Sequence, residues 1–66
     1  MFVFKGSKGD STVWVETKEI DGYWLSFNPK RLYCIESEFK AHLVLSELVK
    51  QEPEMRFEII PVNYPV

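Results

Sequence analysis

The stretch VWVETKEIDGYWLSF, residues 13 to 27, constrains the fold more than any other, because two runs of period-2 alternation flank a turn-forming Asp-Gly pair. Side chains on a strand point alternately to opposite faces. Val13, Val15 and Thr17 therefore oppose Trp14, Glu16 and Lys18, and Tyr23, Leu25 and Phe27 oppose Trp24 and Ser26. The turn sets the register. A two-residue Asp21-Gly22 turn would put Glu16 and Lys18 on the face of Leu25 and Phe27. A loop of Ile20, Asp21 and Gly22 aligns Val15 with Phe27 and Thr17 with Leu25, and leaves Gly22 at the left-handed bulge position. The second register is the expected one. It directs both tryptophans away from the Val15/Leu25/Phe27 side, since a slip by one residue would reverse a whole strand.

The opening MFVFK is a short apolar run of β-formers, and GSKGD supplies turn residues. A five-residue loop GSKGD would pair Val3 with Val13 and turn Phe2 and Phe4 outward beside Trp14. A four-residue loop SKGD pairs Phe4 with Val13, turns both phenylalanines inward and Lys5 outward, and is preferred for that reason. Asn28-Pro29 breaks the third strand, and Lys30 to Glu36 offers a weak fourth. Ser37 is placed as an N-cap, with Glu38 in the first turn where negative charge complements the helix dipole. Phe39, Leu43, Val44, Leu48 and Val49 then recur at helical spacing, with Lys40, Glu47, Lys50 and Gln51 expected outward. Pro53 stops the helix. Met55, Phe57 and Ile59 alternate with Arg56 and Glu58 up to Pro61, after which an extended tail, residues 61–66, is expected.

These elements predict an α+β domain over residues 1–66, in the order β-β-β-(β)-α-β: a small, antiparallel-dominated sheet with one helix packed on one face. The helix is expected to cover Val13, Val15, Leu25, Phe27, Phe57 and Ile59. At 66 residues the core is small, yet 45% hydrophobic and 15% aromatic residues exceed what a disordered chain carries. Cys34 is the only cysteine, which excludes an internal disulfide and suits a reducing compartment, so the cytoplasm is expected. No run approaches the roughly 20 apolar residues that span a bilayer, and no charged leader precedes an apolar stretch.

The chemistry-bearing residues are sparse. Cys34 and His42 are the only soft metal donors, too few for a zinc site. A Cys34/His42 nucleophile would also need an oxyanion site, and Cys34 reads as an ordinary small hydrophobe. GSKGD is followed by a strand, whereas a phosphate loop needs a longer glycine frame and a helix. Glu36 and Glu38 fit a helix start, and Glu52 and Glu54 flank Pro53 at its end, so no carboxylate pair is forced together. Neither enzymatic activity nor a cofactor is expected.

What remains is the sheet face opposite the helix, carrying Trp14 and Trp24 with Glu16, Lys18 and, in one register, Phe2 and Phe4. Exposed indoles flanked by charge are typical of interface centres. The expected function is a non-enzymatic protein–protein interaction domain, an adaptor, inhibitor or homo-oligomer subunit, docking through that face. A single-stranded nucleic-acid platform, with the indoles stacking on bases and Lys5, Lys18, Lys30 and Arg31 on phosphates, is the alternative. The formal charge of -2 disfavours it. In a third reading Val62, Tyr64 and Val66 fold back over the indoles and complete the core.

Overall fold

The computed structural model describes residues 1–63. Four strands, β1 (Phe2–Lys8), β2 (Ser11–Glu19), β3 (Gly22–Ser26) and β4 (Arg56–Pro61), and one helix, α1 (Glu38–Gln51), follow in the order β1-β2-β3-α1-β4. The strands form a single antiparallel sheet ordered β3-β2-β1-β4, against which the helix packs. This is the α+β architecture that the alternation and the helical spacing predict.

Both hairpin registers differ from the expected ones. β1 continues through Gly6 to Lys8, and Lys8 pairs with Ser11, so the loop is only Gly9-Asp10 rather than four or five residues. Gly9 has φ +60° and Asp10 keeps a negative φ, the pattern of a hairpin turn with glycine first, whose twist matches that of the strands. Gly6 is tolerated inside the strand because the Phe57 ring lies over it. A Cβ there would stand 2.7 Å from Phe57 Cε1. The expected inward orientation of Phe2 and Phe4 survives the register change, since β1 shifts against β2 by an even number of residues.

In the second hairpin the turn is Ile20-Asp21, joining Glu19 to Gly22, and a bulge at Glu16 separates the Val15–Leu25 pair from the Thr17–Trp24 pair. The extra residue switches faces. Val13 and Val15 face the helix as expected, but Thr17 crosses to the tryptophan side and Lys18 to the helix side. There the Lys18 ammonium stands 4.9 Å from the centre of the Tyr23 ring. β3 ends at Ser26, so Phe27 lies outside the sheet, exposed rather than covered by the helix.

The core on the helix side is Phe4, Val15, Tyr23, Ala41, Val44 and Leu48, with Phe2, Leu25, Tyr33, Ile35, Phe57 and Ile59 packed around it. Ser37 caps α1, its hydroxyl accepting from the Lys40 N–H at 3.3 Å, and the Glu52 N–H donates to the Leu48 carbonyl before Pro53. Only Val44 and Leu48 of the apolar helix positions named from the sequence are buried. Phe39, Leu43 and Val49 are exposed, because Ala41, Val44 and Leu48 define the stripe that meets the sheet.

The weak fourth strand shrinks to one bridge. Phe2 and Ile35 exchange both backbone hydrogen bonds, at 2.8 and 3.0 Å, and the Tyr33 N–H donates to the Val15 carbonyl at 3.0 Å. The connection thereby takes up groups of both strands beyond their last mutual pair, Lys5–Trp14. Pro61 does not end the pairing as expected. Val62 still exchanges hydrogen bonds with Met1, at 2.8 and 3.3 Å.

Candidate functional site

The face opposite the helix follows from the pairings row by row. Ser26, Trp14, Lys5 and Glu58 form one row across β3, β2, β1 and β4. Trp24 pairs with Thr17 across β3 and β2, and Val3 with Ile60 across β1 and β4, two separate pairs because the Tyr33–Ile35 segment takes up the backbone groups where β1 and β2 part, while Thr12, Ser7 and Arg56 lie beyond the first row. The face thus grades from apolar at the start of β1 to polar at its end. Trp24 is 60% exposed, Trp14 and Ile60 are half-buried, and Val3 is buried within the face. The Lys5 ammonium lies 3.8 Å from a Glu58 carboxylate oxygen.

The residues expected in the site divide accordingly. Trp14 and Trp24 share the open face as the alternation predicts. Glu16 sits half-buried in the bulge. Lys18 does not belong to this face, because the bulge turns it toward Tyr23. Phe4 is fully buried on the helix side and Phe2 is half-buried against the core, so neither offers a docking side chain. The expectation that Val62, Tyr64 and Val66 cover the indoles falls in part on residues 64–66, outside the described residues.

Two features have no counterpart in the sequence reading. The first is a polar junction between β3 and the end of α1. The Gln51 amide accepts from the Tyr23 N–H at 2.8 Å and donates to the Tyr23 carbonyl at 3.0 Å, as a neighbouring strand would. The Tyr23 hydroxyl donates to the Glu47 carboxylate. Burial first, and then that hydrogen bond and the carboxylate charge, push the Tyr23 phenol above its ordinary range. Open clefts of about 340 Å³ lie beside this junction, where Gly22, Tyr23 and Gln51 meet the hairpin tip. The second is the apolar solvent face of α1, where Phe39 is 74% exposed and Leu43 lies one turn along.

Among the described residues no group of three or more His, Cys, Asp or Glu is placed to hold a metal ion. Among the same described residues no helix is long and apolar enough to cross a membrane. No protein-family model, curated protein or solved structure matches the chain.

Proposed function

We infer that this is a non-enzymatic interaction domain of the cytoplasm that docks on a partner protein through the Trp14/Trp24 face of its sheet. The observation that carries the reading is Trp24, 60% exposed and paired with Thr17 on the sheet face that also carries half-buried Trp14. An indole buries roughly 150–250 Å² when fully enclosed, so covering what is still open would contribute roughly 2–4 kcal/mol. That is the scale of an interface hot spot. The neighbouring Lys5–Glu58 pair and the Arg56 row give the apolar patch a charged border.

The stacking alternative loses support from the same geometry. Lys18 lies on the opposite face, and the Lys5 amine is held near Glu58, so two of the four cations expected to track a phosphate backbone are not free beside the indoles.

Cross-linking of the wild-type chain and of Trp24→Ser in the same cell extract, read by mass spectrometry, tests the reading. A protein captured by the wild type and lost with Trp24→Ser, while the variant's circular dichroism is unchanged, is the expected result. Capture that is indifferent to Trp24 sinks it. Quenching of tryptophan fluorescence by an oligothymidylate, weakening steeply with salt, would replace it with the nucleic-acid reading.

A further inference from the structure

We propose that the outer edge of β4 pairs antiparallel with β4 of a second copy of this chain, joining the two sheets into one of eight strands. The hydrogen-bond parity of β1 settles which groups that edge displays. Phe2 exchanges its backbone bonds with Ile35, and Met1 with Val62, so Val3, Lys5 and Ser7 bond to Ile60, Glu58 and Arg56. The N–H and carbonyl groups of Phe57 and Ile59 therefore point away from β1. They meet no partner among the described residues. On the opposite edge of the sheet Gln51 holds both outward groups of Tyr23, whereas among the described residues β4 has no side chain in that place.

Charge selects both the occupant and the register. Outward-pointing residues must pair with one another. Pairing Phe57 with Ile59 of the second copy sets Glu58 against Glu58, a like-charge pair directly across the strands. Pairing Ile59 with Ile59 brings in Pro61, which has no N–H to donate, and leaves both charges opposite apolar residues. Pairing Phe57 with Phe57 sets Arg56 against Glu58 twice, on either side of the two-fold axis, and leaves Pro61 outside; Ile59 then faces Met55, whose N–H is held by the Glu52 carbonyl, so the joint rests on the backbone bonds of the Phe57 pair and the two charge pairs. The strand is thus self-complementary in one register. Glu58, already beside Lys5, becomes the middle of a three-charge row. The axis runs perpendicular to the sheet, so both tryptophan faces look the same way, with β3 of each copy roughly 34 Å apart at about 4.8 Å per strand.

The test uses two single variants and sedimentation equilibrium. Arg56→Glu places like charges across both pairs, as does Glu58→Arg, and each is expected to weaken self-association about tenfold or more relative to the wild type. Mixed in equal amounts, the two variants form a heterodimer in which both pairs are again complementary. Association of the mixture is expected to return to the wild-type level, with circular dichroism confirming that each variant is folded. Trp14→Ser with Trp24→Ser is expected to leave this dimer intact, which separates it from the docking surface inferred above. A wild type that stays monomeric at its highest soluble concentration overturns the proposal, as does a mixture no tighter than its components. A dimer lost with the tryptophans and indifferent to Arg56 and Glu58 overturns it as well.

Discussion

Along β3 the outward N–H and carbonyl of Tyr23 are both held by the Gln51 side chain, whereas along β4 those of Phe57 and Ile59 meet no partner among the described residues. The difference begins with the hairpin. Gly22, at φ +146°, has no Cβ where one would stand 2.5 Å from Gln51 Oε1, so the amide can lie against the strand as a one-residue substitute for a neighbour. β4 has no such cover and carries instead Arg56, Glu58 and Pro61, the residue types that limit pairing at an edge to partners of matching charge. One edge is closed within the chain at Tyr23. The other is open only to a partner that fits.

Three changes test this contrast. The largest effect is expected from Gly22→Ala, which strains a backbone conformation that L side chains rarely adopt and displaces the Gln51 amide. A loss of about 2–4 kcal/mol is expected, read as a lower urea midpoint at unchanged slope. Next comes Gln51→Ala, which removes two part-buried hydrogen bonds and should cost about 1–3 kcal/mol. Its sharper readout is hydrogen exchange. In the wild type the Tyr23 amide is expected to exchange slowly and those of Phe57 and Ile59 rapidly in dilute solution, and in Gln51→Ala the Tyr23 amide should join the fast group.

The smallest effect at neutral pH is expected from Tyr23→Phe, and it should grow with alkalinity. The folded state holds the Tyr23 proton above the value near 10 of the unfolded chain. Above that value the unfolded state releases the proton first, so stability present at neutral pH falls as pH rises from about 10 toward the folded value. In Tyr23→Phe the fall should be shallower. A urea series between neutral and alkaline pH checks it.

How much of this was legible in the residues can be seen at the bulge. The alternation of YWLSF and VWV places both indoles opposite the core side, because period 2 depends only on the local chain. It could not place Lys18, since Glu16 leaves the ladder and every residue after it changes face. The first hairpin shows the same limit. GSKGD reads as a turn, but Gly6, Ser7 and Lys8 are strand, because Phe57 fills the space above Gly6 from a strand fifty residues away in sequence. The helix was misread at Phe39, Leu43 and Val49. The real contact stripe centres on Ala41, a small residue that carries little hydropathy yet lets the helix approach the sheet.

The identity and order of the elements, the Ser37 cap, the Pro53 stop and the shared face of the two tryptophans thus follow from the order of the residues alone. Each rests on periodicity and on turn or cap chemistry confined to a few neighbouring residues. The registers, the side on which Lys18 lies, the hold of Gln51 on Tyr23 at one sheet edge and the free backbone groups at the other were set by long-range packing. Those depend on which distant backbone groups find partners, and a hydrogen bond between Tyr23 and Gln51, 28 residues apart, leaves no periodic trace in the chain.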